Sequence, residues 1–252
     1  MPWRGEPVVS MSYRHATVPR DYQDLASGSV LHSAPGFPAF PVRLASEIFQ
    51  RALDLRGGRR PAALWDPCCG SGYLLTVTAL LHRPLIASVL ASDLDPRAVD
   101  LAGRNLALLT GAGLASRAAD LRERSARFGK PAYGDAAQAA DRLATGLETD
   151  GGDVPYAARQ ADVFDAGQVG RALGSCAPDI VITDVPYGEQ THWGGPGAAA
   201  GVPGMVEALT AVLPRDGVLA VTVRGRKVPM DGGRRPDTSF KIGTRAVALF
   251  RA

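Results

Sequence analysis

Residues 62–81, AALWDPCCGSGYLLTVTALL, constrain the fold more than any other stretch of this 252-residue chain. The pattern predicts a short buried strand over 62–65, a tight glycine turn over 66–72 and an apolar helix over 73–81. Gly70 and Gly72 have no Cβ, so a ligand can approach the backbone of the turn closely. The N–H groups of the first helical turn point into the same space. The stretch therefore predicts an open α/β sheet with a ligand site at the carboxyl end of its first strand.

The sequence of the turn disfavours two common kinds of nucleotide site. Leu75 stands where the dinucleotide fingerprint G-x-G-x-x-G has its third glycine, which argues against a nicotinamide dehydrogenase. The Gly-Lys-Ser/Thr of a phosphate-binding P-loop is absent. Asp66 opens the turn instead, and a carboxylate favours a ligand with an ammonium group over one with phosphates. The alternative is an ordinary glycine-rich turn that binds no ligand.

Further strands alternate with helices, and are predicted over 87–93, up to about 162, and over 179–184, 217–223 and 245–252. Asp93 ends the second strand about 20 residues after Gly72, where an acidic residue binds ribose hydroxyls in nucleotide-binding α/β folds. Asp95 precedes Pro96 and is interpreted mainly as the N-cap of the next helix, which we expect Gly111 to end. Asp162 follows the third strand, and the residues alone explain it as a loop carboxylate or as a cap for the helix over 166–173.

The fourth strand ends at Asp184 and runs into Val185, Pro186 and Tyr187. The D-P-C-C-G-S-G run resembles the first motif of the class I S-adenosylmethionine-dependent methyltransferases. The D-V-P-Y run resembles the (Asp/Asn)-Pro-Pro-(Tyr/Phe) motif of members that modify exocyclic amines of nucleobases, or sometimes a glutamine side chain. Val185 departs from that motif, since it stands where the first proline is usual.

This resemblance implies an α/β fold: a Rossmann-like, seven-stranded, mostly parallel sheet with helices on both faces. It also implies S-adenosylmethionine as cofactor, with an acidic residue near Asp162 meeting the adenine amino group. Asp184 and a backbone carbonyl near Pro186 would hold an acceptor amine, while the ring of Tyr187 would stack on a flipped base. The expected catalytic residues are Asp184, Pro186 and Tyr187. The expected cofactor-binding residues are Asp66, Cys68, Gly70, Gly72, Asp93, Asp95 and Asp162.

The chain length fits a single methyltransferase domain over residues 1–252. Residues 1–43 contain six prolines and are interpreted as an N-terminal extension that lies across the fold. Residues 114–153 exceed what a parallel crossover needs, so they predict a helical insertion within the domain. The Gly-rich stretch over 191–204, which contains His192 and Trp193, is expected to be a loop at the substrate entrance.

Composition limits the other possibilities. Three cysteines, two of them adjacent, favour neither a disulfide framework nor a zinc site, so no metal is expected. No run approaches the roughly 20 apolar residues of a membrane helix, and no signal peptide is recognisable. We expect a cytoplasmic protein that is a monomer and binds no membrane.

Basic residues are concentrated after Leu213, where the sequence contains nine Arg and Lys residues but only three Asp and Glu residues. Such a basic segment indicates a polyanion partner, although a coding bias towards arginine is an alternative. The expected RNA-binding residues are Arg224, Arg226, Lys227, Arg234 and Arg235. The chain as a whole resembles the avilamycin-resistance methyltransferases, which implies methylation of a guanine in the 23S ribosomal RNA of the large subunit and resistance to that orthosomycin antibiotic. The alternatives are a protein glutamine N-methyltransferase and a non-catalytic RNA-binding relative.

Overall fold

Seven strands form one mixed sheet in a computed structural model that describes residues 12–18, 20–26, 28–58, 60–185, 194–195, 197–230 and 234–252. The strand order is β3-β2-β1-β4-β5-β7-β6, and among these seven strands β7 runs in the opposite direction to the other six. The strands are β1 (Ala62–Asp66), β2 (Ile86–Asp93), β3 (Tyr156–Gln160), β4 (Ile180–Asp184), β5 (Val218–Arg224), β6 (Thr238–Ile242) and β7 (Arg245–Arg251).

Seven α-helices accompany the sheet within the described residues. They are α1 (Val42–Arg56), α2 (Tyr73–Leu81), α3 (Pro96–Ala107), α4 (Gly111–Phe128), α5 (Pro131–Thr149), α6 (Ala166–Leu173) and α7 (Gly201–Val212). Helices α1, α2 and α3 pack in one apolar cluster, and α6 and α7 pack in a second. The predicted fold class, with helices on both faces of a mostly parallel sheet, is confirmed.

Alternation along the central strands produces these two clusters. Ile180 and Ile182 of β4 belong to the α1 side, whereas Val181 between them belongs to the α7 side. Side chains of successive strand residues point to opposite faces, so a strand buried on both faces is apolar along most of its length. The polar residues Asp66 and Asp184 come only at the carboxyl ends of β1 and β4.

The position of β1 determines where a site can form. From β1 the chain proceeds outwards through β2 and β3, then returns to β4 on the other side of β1. A crevice forms where the strand order reverses in this way, outside the carboxyl ends of the strands. We call this edge, made by the carboxyl ends of β1, β2 and β4 and the residues just after β3, the carboxyl rim.

Residues 111–149 form a hairpin of two helices, α4 and α5. The expectation that Gly111 ends the preceding helix was wrong, because α3 ends at Ala107 and Gly111 begins α4. Thr110 is the cause: its hydroxyl caps α4 by accepting a hydrogen bond of 3.0 Å from the Gly113 amide. A Cβ at Gly113 would lie 1.9 Å from the Ala107 carbonyl oxygen, so this tight corner requires glycine.

The described part of residues 12–41 crosses the fold as an irregular segment held by side chains of the helices. The Glu47 carboxylate of α1 accepts hydrogen bonds from three consecutive amides, those of Arg14, His15 and Ala16. Further along, the Tyr73 hydroxyl donates to the Leu25 carbonyl oxygen at 2.6 Å. Within the described residues, none of the helices is long and apolar enough to cross a membrane.

Candidate active site at the carboxyl rim

Four carboxylates meet at the carboxyl rim. Asp66, Asp93 and Asp184 are the last residues of β1, β2 and β4, and Asp162 follows β3 by two residues. Asp66 lies close enough to Asp93 and Asp184 for their charges to affect its ionisation. The Cys68 side chain lies within the electrostatic reach of Asp66, Asp93 and Asp162. The structure therefore brings together four acidic residues that are up to 118 positions apart in the sequence.

The glycine turn over 66–72 is held by hydrogen bonds to its own first residue and to β2. The Cys68 amide donates to Asp66 Oδ1 at 3.1 Å, and the Gly70 amide donates to Asp93 Oδ2 at 2.9 Å. Gly70 and Gly72 have φ of +52° and +70°, in the left-handed region that favours glycine. The turn thus exposes backbone at the rim while its carboxylates remain fixed.

We expect Gly72→Ala to destabilise the protein more than Gly70→Ala. A Cβ at Gly72 would lie 2.9 Å from the Ala102 Cα of α3, whereas a Cβ at Gly70 would come no closer than 3.8 Å, to a ring carbon of Phe37. Both substitutions carry the left-handed penalty of roughly 1–2 kcal/mol, and only Gly72→Ala adds a clash with backbone. Urea unfolding should show a loss for Gly72→Ala that exceeds that for Gly70→Ala by at least ~1 kcal/mol. Equal losses would contradict this account of the turn.

Burial dominates the ionisation of Asp66. The side chain is only 2% exposed, and burial together with the charges of Asp93 and Asp184 raises the pKa of Asp66 to about 8. The nearby Thr183 side chain and the Cys68 amide oppose this rise without cancelling it. Near neutral pH, Asp66 is therefore protonated in the protein alone, and a bound cation would favour its ionised form.

The two cysteines of the turn are unsuited to nucleophilic chemistry. Burial, followed by the charges of Asp66 and Asp93, raises the pKa of both Cys68 and Cys69 well above the ordinary value. The thiolate is the reactive form of cysteine, so thiols in this setting are inert at neutral pH. Cys68 and Cys69 are free, as is Cys176.

Asp93 and Asp95 have different roles in the structure. Asp93 accepts a backbone hydrogen bond on each oxygen, from Gly70 and from Asp95 at 3.0 Å, and burial raises its pKa. A carboxylate has about four acceptor positions, so Asp93 retains capacity for hydroxyl donors. Asp95 accepts from the Arg97 amide at 2.9 Å and pairs with the Arg97 guanidinium. The interpretation of Asp95 as the N-cap of α3 is confirmed.

Asp162 is buried beneath the residues that precede α7. Its Oδ1 accepts from the Phe164 amide at 2.9 Å, and a Cβ on Gly195 would lie 2.2 Å from its Oδ2. The alternative in which Asp162 caps α6 was wrong, because Asp165 provides that cap by accepting from the Gln168 amide. The loop predicted over 191–204 ends earlier than expected, since α7 already begins at Gly201.

Asp184 forms an ion pair that the sequence did not reveal. The Arg245 guanidinium, at the start of β7, donates to Asp184 Oδ2 at 3.3 Å and lies over the Phe40 ring at 4.8 Å. The Asp184 side chain is 21% exposed, so it is accessible at the rim while held by Arg245. Two of the residues expected to act with it, Pro186 and Tyr187, lie outside the described residues, as do His192 and Trp193.

Part of the basic segment that follows Leu213 lies beside this ion pair. Arg224, the last residue of β5, is paired in the sheet with Arg245. The five expected RNA-binding side chains are all exposed: Arg224, Arg226, Lys227, Arg234 and Arg235. In the described part of the chain, no group of three or more His, Cys, Asp or Glu side chains is arranged to hold a metal ion.

A seven-stranded sheet of this order, with a glycine turn after β1 and an acidic residue ending β4, has the architecture of a Rossmann-like methyltransferase. Residues 11–245 match the family described as rRNA methyltransferase AviRa. A curated relative from Streptomyces viridochromogenes, named 23S rRNA (guanine(2535)-N(1))-methyltransferase, is 55% identical over 241 residues, which are 96% of this chain and 96% of the relative. The chain belongs to the AviRa family of rRNA methyltransferases.

Two solved structures support this assignment. Both are of the rRNA methyltransferase AviRa from Streptomyces viridochromogenes, and each covers 95% of this chain and 96% of the solved chain. The first is 55% identical with a TM-score of 0.89, and the second is 54% identical with a TM-score of 0.88. The whole fold is therefore shared with these structures, and the family resemblance predicted from the glycine turn and the D-V-P-Y run is confirmed.

Proposed function

We propose that this protein transfers a methyl group from S-adenosylmethionine to a guanine base of 23S ribosomal RNA. The observation that carries the proposal is the meeting of Asp66 and Asp184 at the switch point between β1 and β4. One carboxyl group suits a cationic donor and the other suits the N–H edge of an acceptor base. The name of the 55% identical relative supports the same reaction.

The residues of the carboxyl rim fit the donor. Asp66 is buried and lacks an ion-pair partner among the described residues, so it suits the ammonium group of a methionine moiety. Gly70 has no Cβ to keep a ligand from the backbone, and Asp93 has acceptor capacity for ribose hydroxyls. Asp162 would meet the adenine amino group. S-adenosylmethionine supplies an activated methyl group on a sulfonium, so the protein chiefly has to align the acceptor with it.

The acceptor atom decides what Asp184 must do. The sequence motif favours an exocyclic amine, but the curated relative is named for guanine N1, and we propose N1 here. Guanine N1 carries a proton and has no available lone pair until that proton leaves. The Asp184 carboxylate, held by Arg245, would accept the N1 proton, and the vacated lone pair would then attack the methyl carbon as the carbon–sulfur bond breaks.

The other site residues keep their predicted roles within this proposal. Pro186 and Tyr187 would shape the base pocket, with Tyr187 stacking on the guanine after it leaves its helix. Transfer to nitrogen requires no covalent intermediate, so the reaction needs no cysteine thiolate. The raised pKa values of Cys68 and Cys69 also disfavour a thiolate at neutral pH. Resistance to avilamycin is the biological effect that the family resemblance implies for this reaction. The cytoplasmic location and the monomeric state stay predictions.

Labelled S-adenosylmethionine tests the function directly. The protein is incubated with either a 23S rRNA transcript or ribosomal proteins, and the digested RNA is analysed by mass spectrometry for N1-methylguanine. Label in RNA at N1 is the expected result. Label only in protein would favour a glutamine methyltransferase, and calorimetry that detects no donor binding would favour a non-catalytic RNA-binding relative.

The basic segment should supply much of the affinity for RNA. Reversing the charge of Arg226, Lys227, Arg234 and Arg235 should weaken binding and flatten its dependence on salt, because each lost phosphate contact lowers the slope by about one unit. Fluorescence anisotropy with a 23S rRNA fragment at several salt concentrations measures this slope. A matched control reverses four exposed basic residues of the helical hairpin: Arg122, Arg127, Lys130 and Arg142. If the salt dependence of RNA affinity falls equally in both variants, the basic segment has no special role in RNA binding, and coding bias explains its composition.

A further inference from the structure

A cationic cavity lies on the flank of the fold, outside the carboxyl rim. It has a volume of about 250 Å³ and forms where residues 28–33 cross helices α3 and α4. We call it the arginine pocket. Its lining residues are Gly28, Leu31, His32, Ser33, Arg104, Arg117 and Arg124.

Only part of this charge is needed to build the pocket. Arg117 is a structural residue, because its guanidinium donates to the Val30 and Ser29 carbonyl oxygens at 2.8 Å each. Arg117 and Arg124 share the single carboxylate of Asp120, at 2.7 and 2.9 Å. Arg104 is exposed and pairs with no carboxylate in the part of the chain that the structure describes. Three guanidinium groups therefore face one acidic partner, which leaves the pocket positive.

The pKa of His32 is affected by the positive charges of the same arginines. Burial and the charges of Arg117, Arg104 and Arg124 lower the pKa of His32 to about 4, and Asp120 opposes this only in part. At neutral pH its imidazole is uncharged and can still donate one hydrogen bond. The pocket thus contains fixed positive charges and a neutral donor, a combination that suits an anion.

A continuous chain of contacts joins the arginine pocket to the carboxyl rim. Asn105 accepts from the His32 amide at 2.8 Å and donates to the Ser71 carbonyl oxygen of the glycine turn at 2.8 Å. The same segment continues to Phe37, whose ring faces Gly70, and to Phe40, whose ring lies under Arg245. The segment that borders the pocket therefore also contacts the glycine turn, through Asn105 and Phe37, and contacts Arg245 through Phe40.

The pocket and the basic segment lie on opposite sides of the proposed catalytic site. Helix α3 packs beside β2 and β3, whereas Arg224 ends β5, and β1 and β4 lie between them in the sheet. An RNA chain that contacts both surfaces would pass over the rim where Asp66 and Asp184 meet. Arginine binds phosphate with paired hydrogen bonds as well as charge, which fits a backbone phosphate better than a base edge.

We propose that the arginine pocket binds a backbone phosphate of the RNA substrate and so fixes the position of the RNA on the β2 side of the site. This inference rests on the proposed function, since it assumes that RNA is the substrate. Phosphate contacts determine register without reading sequence. The pocket would therefore decide which part of the RNA lies over Asp184, while the base pocket decides which base reacts.

The test compares two double variants of equal charge. Arg104→Ala with Arg124→Ala removes the two pocket arginines that do not bind the backbone of residues 28–33. Arg122→Ala with Arg127→Ala removes two exposed arginines of α4 that do not line the pocket. Affinity for a 23S rRNA fragment is measured by anisotropy over a range of salt, together with KM for RNA, donor affinity and melting temperature.

The pocket variant should raise the KM for RNA about tenfold and lower the salt slope by about one unit, while donor affinity and melting temperature stay close to wild type. Arg104→Lys with Arg124→Lys should restore most of the affinity. Equal effects in both alanine variants, or an unchanged slope in the pocket variant, would overturn the proposal. If the wild-type protein methylates 23S rRNA and the pocket variant has the same KM for RNA and the same salt slope as wild type, the pocket assignment fails but the proposed function stands. If the wild type binds no RNA, the pocket assignment fails together with the proposed function.

Discussion

Asp184→Asn should lower kcat for RNA methylation by about a thousandfold while leaving the affinity for S-adenosylmethionine nearly unchanged. The asparagine side chain occupies the same space and can still contact Arg245, but it cannot accept a proton from guanine N1. Asp184 lies at the end of β4, whereas the donor is expected against the glycine turn after β1. Single-turnover methylation and calorimetric titration with the donor measure the two quantities separately.

The pH dependence of this variant provides a second readout. Guanine N1 loses its proton to water as pH rises, so the residual rate of Asp184→Asn should increase about tenfold per pH unit over the alkaline range. The wild-type rate should rise less, because the carboxylate already removes the proton. A variant that loses donor binding and methylation together would show that Asp184 holds the donor or the fold. A residual rate that is flat with pH would remove Asp184 from the role of proton acceptor.

Substitution of Arg245 can be compared with substitution of its ion-pair partner Asp184. Its guanidinium pairs with Asp184 and stacks on Phe40, so Arg245→Lys keeps a positive charge but loses the planar contact with the ring. We regard Arg245 as a positioning residue, since it acts through Asp184. Its substitution should reduce kcat less than Asp184→Asn does, and it should not create the steep alkaline dependence.

Local sequence patterns were sufficient to predict which residues meet at the centre of the carboxyl rim. The glycine turn, Asp66 and Asp93 lie within 28 residues of one another, and the rules that relate them are those of a single strand–turn–helix–strand unit. Asp184 was found in the same way, because a polar residue that ends an apolar strand marks the carboxyl rim. The family resemblance then depended on two short motifs, whose first residues, Asp66 and Asp184, end the neighbouring strands β1 and β4 at the switch point.

Long-range pairs could not be predicted in this way. Asp184 and Arg245 are 61 residues apart, and nothing in the local pattern of β7 distinguishes Arg245 from an exposed strand end. The arginine pocket likewise combines residues 28–33 with α3 and α4. Strand β6 was not located, since Thr238–Ile242 is a short edge strand in which only Phe240 is fully buried. In each case the tertiary contact, and not the local propensity, decides the structure.

A misplaced helix start shows how local signals compete. Gly111 was expected to end a helix, as glycine often does. Thr110 provides the stronger signal, because an N-cap hydroxyl can satisfy an amide of the next helix. The sequence Thr110-Gly-Ala-Gly113, in which Gly113 lies against the Ala107 carbonyl oxygen, is therefore better interpreted as the start of α4 than as the end of α3.

Asp66→Asn should make the protein without donor more stable and at the same time weaken donor binding by roughly a hundredfold or more. Burial raises the pKa of Asp66 from 3.8 to about 8, so the folded protein keeps a proton that the unfolded chain releases. Between these two values the folded state binds more protons, and stability falls as pH rises. The contribution of this one group is up to about 1.4 kcal/mol per pH unit. Asparagine removes it.

Donor binding should show the opposite dependence on pH. The ammonium group of the donor favours the ionised carboxyl group, so binding below pH 8 requires Asp66 to lose its proton. Affinity should therefore rise by up to about tenfold per pH unit between pH 6 and 8 and then level off. Calorimetry in buffers of different ionisation enthalpy should detect the released proton with wild type and not with Asp66→Asn. If wild type binds the donor with the same affinity throughout this range, Asp66 is not the residue that receives the ammonium group, and the stability gain of the asparagine variant would be a property of burial alone.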